Sequence, residues 1–336
     1  MTDIAARPAV ILVNLGSPDV PEPGAVRRYL RQFLSDRRVV ETHPLLWRPI
    51  LEGIILRVRP RRSAEKYQLI WEDRGSPLRI FTQEQAEYVH AALASSNKHA
   101  DADVFFAMRY GATGVQEVMQ RLFEDGYRKL LVIPLYPQFS ATTVASITDE
   151  VYRWNLRARD QFDLRVTRAF PTDGGYIDAL VAAIETCWEQ EGRPHFAAGD
   201  KLVLSYHGIP QAMSDAGDPY AQECLATTKA VRERLGLDEH QALMTFQSVF
   251  GPAQWLKPAT IDTVAQLGAG GTRRVDVICP GFVSDCLETL EEIDVENRAA
   301  FTNAGGAEFN YIPWGNAHEP WLRALANLTA ANLVGW

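Results

Sequence analysis

The sequence predicts an α/β protein with two similar doubly wound (Rossmann-like) domains, each built on a four-stranded parallel sheet. Eight short segments are apolar throughout, which is typical of parallel strands that are covered on both faces. Longer segments with helical periodicity separate them, and this alternation indicates right-handed βαβ units. A polar segment, 146–163, interrupts the series and favours two sheets over one.

The elements follow from these patterns in chain order. The predicted strands are Ala9–Leu15, Val104–Met108, Lys129–Leu135, Leu164–Arg168, Lys201–Tyr206, Ala242–Phe246, Val275–Cys279 and Glu308–Ile312. The clearest amphipathic helices between them are Val115–Glu124, Tyr176–Gln190 and Pro219–Leu235. We expect an N-terminal domain over residues 1–152 and a C-terminal domain over 153–316. The helix within 317–336 is expected to pack back on the first domain.

Composition excludes several classes of protein. The 336 residues carry 34 Lys and Arg against 42 Asp and Glu, a formal charge of −8, so the basic excess typical of nucleic-acid binding is absent. The four cysteines form no C-x-x-C pair, which indicates a reducing compartment. The N-terminus lacks the apolar core of a signal peptide, and no apolar run approaches the roughly 20 residues of a membrane span. We therefore expect a cytoplasmic protein.

Ligands of such sheets bind at the carboxyl ends of the strands, so the loops there are the candidate site. No G-x-G-x-x-G, Walker lysine, G-x-S-x-G or HExxH motif occurs in them. His207 follows a predicted strand in Ser-Tyr-His-Gly-Ile-Pro, where an imidazole can accept a proton or bind a metal ion. The alternative is a loop histidine that is hydrogen-bonded to a backbone carbonyl.

Three acidic residues open the helix after the seventh strand. In an α-helix, the spacing of Asp285, Glu288 and Glu292 would place their carboxylates on one face. Such a cluster suits proton relay or cation capture, because like charges raise each other's pKa. A capping box made by Asp285 and Glu288 explains the pattern as well, and the sequence alone favours it. Cys286 lies among these acids but is weak support for a metal ligand.

The segment Leu45–Val58 has a wide apolar stripe of helical period. A core helix is the favoured interpretation, and a lip over an apolar ligand is the alternative. The arginines that follow would then hold carboxylates or anionic headgroups; they are Arg57, Arg59, Arg61 and Arg62. Trp255 could form a wall of the same cavity.

Five motifs together resemble the ferrochelatase family, in the family's order over about residues 10–316. They are Val10-Ile-Leu-Val-Asn-Leu-Gly-Ser-Pro18, Leu135-Tyr-Pro-Gln-Phe-Ser140, Ser205-Tyr-His-Gly-Ile-Pro210, Phe246-Gln-Ser-Val-Phe-Gly-Pro252 and Ser284-Asp-Cys-Leu-Glu-Thr-Leu290. The resemblance implies a porphyrin cleft between two α/β domains. It also implies a lyase that inserts Fe²⁺ into protoporphyrin IX in the last step of haem biosynthesis, giving protohaem and two protons.

The resemblance also implies roles for residues. His207 and Glu288 match the catalytic, metal-binding pair, with His207 taking pyrrole protons and Glu288 handling Fe²⁺ from the other side of the ring. Asp285 and Glu292 match the acidic relay for protons and metal. Six residues match the lining of the porphyrin pocket; they are Asn14, Arg109, Tyr110, Tyr136, Ser140 and Trp255.

The cofactor expectation rests on two departures from the family pattern. Ala141 stands where a cluster-bearing member has a cysteine, and no cysteine follows Cys286, so we expect no [2Fe–2S] cluster and no other cofactor. Cys286 stands where animal members have a histidine, which leaves a ligand role there open. We expect a monomer whose partners are protoporphyrin IX and Fe²⁺, with peripheral membrane contact through residues 45–62 as a hypothesis.

Three rival functions stay open at this point. The first is a chelatase that inserts cobalt or nickel into a reduced tetrapyrrole on a related fold. The second is the same iron chemistry on coproporphyrin III, although the apolar segment 45–58 favours the less charged protoporphyrin. The third is a porphyrin or haem carrier without turnover.

Overall fold

The computed structural model describes residues 4–96, 99–249, 251 and 253–336. Two all-parallel sheets of four strands, flanked by helices, confirm the predicted α/β class. All eight predicted strands are present, and their ends are shifted by at most two residues. Residues Phe250 and Pro252 of the fourth motif, and Met1–Asp3, lie outside the described residues.

The chain divides into two compact units. The first comprises the residues up to Tyr136, Ser140–Ala169 and Leu322–Trp336. Its sheet has the strand order β2-β1-β3-β4, with β1 Pro8–Asn14, β2 Asp103–Met108, β3 Lys129–Pro134 and β4 Asp163–Val166. Its helices are α1 Pro23–Leu34, α2 Pro44–Ile50, α3 Leu56–Ile70, α4 Pro77–Ala94, α5 Val115–Glu124 and α6 Ser146–Arg157, with π-helices at Leu51–Ile55 and Ala141–Ala145 and a 3₁₀ turn at Ile4–Ala6.

The second unit comprises Pro137–Phe139 and Phe170–Trp321. Its sheet has the order β6-β5-β7-β8, with β5 Lys201–His207, β6 Ala242–Gln247, β7 Arg274–Ile278 and β8 Glu308–Tyr311. Its helices are α7 Gly174–Glu191, α8 Gln211–Asp215, α9 Tyr220–Leu235, α10 Thr260–Ala269 and α11 Arg298–Asn303, with a π-helix at Glu288–Asn297 and a 3₁₀ turn at Phe196–Ala198. The last helix of the chain is α12, Glu319–Leu333.

The first unit extends past the boundary predicted at residue 152. β4 pairs in parallel with β3, from Lys129 opposite Asp163 to Val132 opposite Val166, so it completes the first sheet. The Arg165 guanidinium of β4 donates to the carbonyls of Asn332 and Val334 near the chain's end. These contacts explain why the C-terminal residues belong to the first unit.

Each sheet is buried by the aliphatic residues that the sequence supplies. All seven residues of β1 are buried, as expected for a central parallel strand that is covered on both faces. In both sheets, the first strand of the unit lies between the second and the third. The chain order therefore reverses beside β1 in one sheet and beside β5 in the other, and ligands bind at such switch points, outside the carboxyl ends of the strands.

The apolar segment Leu45–Val58 is not a buried core helix. It forms α2, a π-helical turn and the start of α3, and only its Leu51 and Leu56 are buried. Five aliphatic side chains are exposed to solvent, from 43% for Ile50 to 78% for Leu45; they are Leu45, Leu46, Ile50, Ile54 and Val58. We call this set the apolar lip. The favoured core interpretation was therefore wrong, because the stripe faces away from the unit.

Candidate active site

His207 is the last residue of β5, at the switch point of the second sheet. Its Nδ1 lies 2.7 Å from the carbonyl oxygen of Gly208. A carbonyl can only accept a hydrogen bond, so Nδ1 carries the proton in the neutral ring and Nε2 presents a lone pair. The alternative prediction, a loop histidine that is hydrogen-bonded to a backbone carbonyl, is thus correct about this hydrogen bond. The same bond also leaves Nε2 free to accept a proton.

The loop after His207 places an indole beside it. Pro210 forms an antiparallel bridge with Trp255, and Leu256 donates its N–H to the carbonyl of Ile209 at 3.0 Å. A Cβ on Gly208 would stand 3.3 Å from the Trp255 ring and 2.9 Å from a backbone carbonyl. Only glycine fits here without displacement, so Trp255 packs directly against the loop that carries His207.

The acidic residues after β7 do not share one α-helical face as predicted. The helix is a π-helix that begins at Glu288, and Asp285 lies in the loop before it. Its i→i+5 bonding makes each turn wider than the 3.6 residues of an α-helix. Glu288 and Glu292 are therefore close to one turn apart, while Asp285 belongs to a different environment.

Glu292 is held by the strand end of β6. Both oxygens of its carboxylate accept from Ser248, one from the backbone N–H at 2.6 Å and the other from the hydroxyl. Burial raises the pKa of Glu292 above its ordinary value, and the charge of Glu288 raises it further, while the Ser248 bonds and His207 oppose the rise. Glu292 thus feels the charges of both His207 and Glu288.

Asp285 is saturated with hydrogen bonds. Its carboxylate accepts from Thr289 Oγ1 at 2.8 Å, Tyr311 Oη at 2.5 Å and Asn316 Nδ2 at 2.6 Å, and its N–H donates to Asn316 Oδ1. The predicted capping contact with Glu288 is replaced by this network. Asp285 therefore fixes the turn that leads into the π-helix.

Cys286 is buried beside these groups. Burial raises the pKa of its thiol well above the ordinary value, and the neighbouring Glu288 raises it further. A thiol that holds its proton this firmly is a poor metal ligand, because the thiolate is the binding form.

Arg109 and Tyr110, two of the residues predicted to line the porphyrin pocket, both bind the carboxylate of Asp36 in the first unit. Arg109 Nη2 lies 2.5 Å from Asp36 Oδ2, and Tyr110 Oη donates to the same oxygen at 2.7 Å. Ser146 Oγ also donates to it at 2.6 Å. Burial tends to raise the pKa of Asp36, but these bonds outweigh it and hold that pKa below the ordinary value. Tyr110 is 1% exposed, so its side chain supports the loop from inside.

The other predicted residues of the first unit are mainly structural. Asn14 is buried and bridges Thr82 and the N–H of Leu15. Ser140 is buried and caps the π-helix that follows it by accepting from the N–H of Thr142. Tyr136 is half-buried and packs against the core of its sheet. Among these three, Tyr136 alone retains surface that a ligand could contact.

A polar cavity of about 1000 Å³ opens beside Asp36 and Arg109. Its wall carries six arginines and four carboxylates, and several of them pair with each other, such as Arg38 with Asp149 at 2.8 Å. The arginines outnumber the carboxylates of the wall, and two of them, Arg28 and Arg31, pair instead with Asp19 and Glu52 outside it.

Sequence reasoning missed Gln247 and Ser248. Both stand in the quoted motif at the end of β6, but an uncharged Gln-Ser pair gives no signal of chemistry without its contacts.

Within the part of the chain that the structure describes, no three His, Cys, Asp or Glu side chains form a group that could hold a metal ion.

The two-sheet fold is shared with solved chelatases. SirB from Bacillus subtilis with Fe³⁺ aligns with a TM-score of 0.56 at 11% identity, covering 98% of this chain and 96% of that one. DR2241 from Deinococcus radiodurans, a multi-domain protein with structural similarity to chelatases, aligns with a TM-score of 0.56 at 13% identity over 98% of this chain and 55% of its own. At these identities the likeness shows the fold alone, and the fold is that of the chelatase class.

Sequence comparison gives the particular family. The family model for ferrochelatase matches residues 7–333. The ferrochelatase of Bordetella pertussis (strain Tohama I) is 47% identical over 330 residues, which is 98% of this chain and 89% of that protein. The chain belongs to the ferrochelatase family. It is accordingly a metal chelatase, a lyase of haem biosynthesis that inserts Fe²⁺ into protoporphyrin.

Proposed function

We propose that this chain inserts Fe²⁺ into protoporphyrin IX with His207 as the proton acceptor and Glu288 as the carboxylate that handles the metal. The observation that carries this assignment is the bond from His207 Nδ1 to the Gly208 carbonyl, which leaves Nε2 as an acceptor at the sheet's switch point. Glu288 and Glu292 lie on the π-helix that follows the neighbouring strand β7.

The reaction needs both kinds of group. Free protoporphyrin carries two pyrrole N–H protons, and insertion of Fe²⁺ releases both while four nitrogens bind the metal. His207 Nε2 accepts the two pyrrole protons one after the other and passes each to water, which is general-base catalysis worth roughly 10²- to 10⁴-fold. Glu288 orients the incoming Fe²⁺, and Glu292 stabilises positive charge as protons and metal pass. The pyrrole nitrogens become accessible only when the ring bends, so binding energy must offset that strain.

We assign fewer residues to direct porphyrin contact than the sequence motifs alone imply. We infer that Trp255 and Tyr136 contact the porphyrin, since both retain accessible surface. Asn14, Arg109, Tyr110 and Ser140 support the pocket through the buried contacts described above. Asp285 is left out of the transfer path, because its oxygens already accept three hydrogen bonds.

A site of one imidazole and carboxylates is a weak site for divalent metals. Such ligands bind Zn²⁺ or Co²⁺ about as well as Fe²⁺, so the protein should insert Zn²⁺ as well. We infer further that no resident [2Fe–2S] cluster assists. This is supported by the cysteines, since three of the four are buried and none stands at position 141. An absorbance spectrum and iron and sulfide assays of the purified protein test it.

The cellular compartment, the oligomeric state and the membrane contact of the protein are separate proposals. Free thiols suit the reducing cytoplasm, where we place a monomeric enzyme; sedimentation equilibrium tests the oligomeric state. Among the described residues, no helix is long and apolar enough to cross a bilayer. The apolar lip, followed by exposed Arg57, Arg61 and Arg62, favours peripheral contact with an anionic bilayer surface.

Vesicle sedimentation tests that contact. We expect Ile54→Asp to lower binding to phosphatidylserine-containing vesicles at least tenfold. The matched control Leu156→Asp alters another exposed aliphatic residue and should leave binding unchanged. Equal binding by wild type and Ile54→Asp would remove the proposal.

The chelation assay is anaerobic and compares wild type with His207→Ala and Glu288→Gln. We expect many turnovers of haem formation, and of Zn²⁺-porphyrin formation, in wild type and at least a 100-fold loss in both variants. His240→Ala, at an exposed histidine, is the control. Including coproporphyrin III and a reduced tetrapyrrole with Co²⁺ or Ni²⁺ separates the rival substrates. Stoichiometric porphyrin binding without turnover would instead indicate a carrier.

A further inference from the structure

Gln247 connects the catalytic strand end to the acidic π-helix. It is the last residue of β6, lies opposite His207 in the parallel register and is 2% exposed. Its Oε1 accepts from Ser205 Oγ at 2.8 Å, and its Nε2 donates to the backbone carbonyl of Glu288 at 2.7 Å. Both polar atoms of the buried amide are thus hydrogen-bonded, and Nε2 holds the first residue of the π-helix.

A chain of buried hydroxyls packs against the Oε1 end of that amide. Ser205 Oγ also lies 2.8 Å from Thr260 Oγ1, which in turn donates to Thr245 Oγ1 at 2.9 Å. All four side chains of this chain are almost fully buried. The carbonyl of Glu288 can only accept, so Nε2 must face it and Oε1 is left to accept from Ser205, which gives Gln247 one favoured orientation.

Ser248 holds the next acidic residue from the same strand end. It adopts the left-handed backbone region, with φ +64°, which turns its N–H and its hydroxyl toward the same carboxylate. A non-glycine residue in this region costs free energy, and such conformations persist where the surrounding structure enforces them. Consecutive residues thus hold Glu288 by its carbonyl and Glu292 by its carboxylate.

We propose that Gln247 and Ser248 are positioning residues of the chelation reaction, which hold the acidic π-helix so that Glu288 and Glu292 present their carboxylates to the incoming metal. This inference rests on the proposed function, since it assumes that these two acids handle Fe²⁺. Glutamates have three side-chain torsions, so a metal-transfer site built on them needs support from residues that do not contact the metal.

The first test compares two variants that each remove buried hydrogen bonds from β6. Gln247→Met keeps approximate volume but removes the bond to Glu288, whereas Thr245→Val, the matched control, breaks the far end of the same hydroxyl chain. We expect Gln247→Met to lower kcat/KM for Fe²⁺ and Zn²⁺ by 10- to 100-fold, the usual effect of removing such support. Protoporphyrin affinity, measured by fluorescence quenching, should stay within twofold.

The second test uses Ser248, which is half-buried. Ser248→Ala and Ser248→Gly lose the same hydroxyl but differ in backbone freedom, so an equal loss of about tenfold in kcat/KM for the metal assigns the effect to the hydroxyl. This pair decides the matter if Gln247→Met does not fold.

Two results would overturn the inference in different ways. If Gln247→Met matches Thr245→Val and both Ser248 variants match wild type, while Glu288→Gln is inactive, the positioning role is wrong and the proposed function stands. If Glu288→Gln turns over at the wild-type rate, the proposed function fails and the inference fails with it.

Discussion

At the scale of single residues, Asp285 is a buried carboxylate near the candidate active site whose role is structural rather than catalytic. Asp285 accepts hydrogen bonds from Thr289, Tyr311 and Asn316. Burial, together with the Asp285 charge, raises the pKa of Tyr311 well above its ordinary value, so the phenol remains a donor at every working pH. The network therefore stabilises the turn before the π-helix.

We expect Tyr311→Phe to lower the free energy of unfolding by about 2 kcal/mol, the usual contribution of a hydrogen bond to a charged group. The folded variant should keep turnover within about threefold, because Asp285 retains two donors. Urea unfolding and the anaerobic assay measure the two quantities, with Tyr152→Phe at an exposed position as the control. Unchanged stability combined with lost turnover would return Asp285 to the proton relay.

The sequence predicts some of these residues and not others for a physical reason. His207 and the acids can be singled out as candidates because an imidazole and clustered carboxylates can carry out proton and metal chemistry, although the sequence alone favours a capping box for the acids. Gln247 and Ser248 do not, since their importance lies in which atoms they reach. Residue type fixes what a side chain can donate or accept, and only the fold fixes its partner.

At the scale of elements, the main departure is the π-helix Glu288–Asn297. Its residues have ordinary helical propensities, so the sequence predicts a helix there but not its i→i+5 bonding. The spacing argument for the three acids assumed the α-helical period and therefore misplaced Asp285. The apolar lip was wrongly predicted to be buried for a related reason. Periodicity identifies an apolar helix face but does not say whether that face packs against protein or is exposed to solvent.

The loop after β5 gives a test at this scale. In Gly208→Ala, the new Cβ would stand 2.9 Å from the Gln247 carbonyl and 3.3 Å from the Trp255 ring, so the loop must shift. Overpacking of this kind costs about 1–3 kcal/mol and moves the imidazole of His207 with the backbone. We expect at least a tenfold loss of kcat with little change in the secondary structure seen by circular dichroism.

Gly24→Ala is the control for that variant, because nothing lies within 4 Å of a Cβ at Gly24. It should behave as wild type. Wild-type kcat in Gly208→Ala would mean that the loop yields without moving His207, and the close approach of Trp255 would then have no catalytic consequence.

At the scale of the whole molecule, the same strand order occurs in both sheets, and each unit carries its polar cluster at the carboxyl ends of its strands. In the second unit the cluster contains groups suited to proton and metal transfer. In the first unit the carboxylate of Asp36 binds Arg109, Tyr110 and Ser146, and this arrangement stabilises the loops. The two parallel sheets were predictable from the alternation of elements, whereas this division of labour depends on contacts between residues distant in sequence.

The Asp36 network predicts how stability depends on pH. Its pKa in the folded protein lies below the ordinary value of 3.8, so the unfolded chain takes up the proton more readily. The stabilisation is complete well above pH 3.8 and is lost as the pH falls through the lower, folded pKa. We therefore expect Asp36→Asn to cost about 3 kcal/mol at pH 7, because it leaves Arg109 only its longer ion pair, to Glu150 at 3.5 Å. The cost should become progressively smaller below pH 3.8. Urea unfolding at a series of pH values measures the gap. Asp125→Asn, an exposed control in the same unit, should show a small cost at every pH, and a pH-independent gap for Asp36→Asn would show that its charge does not stabilise the unit.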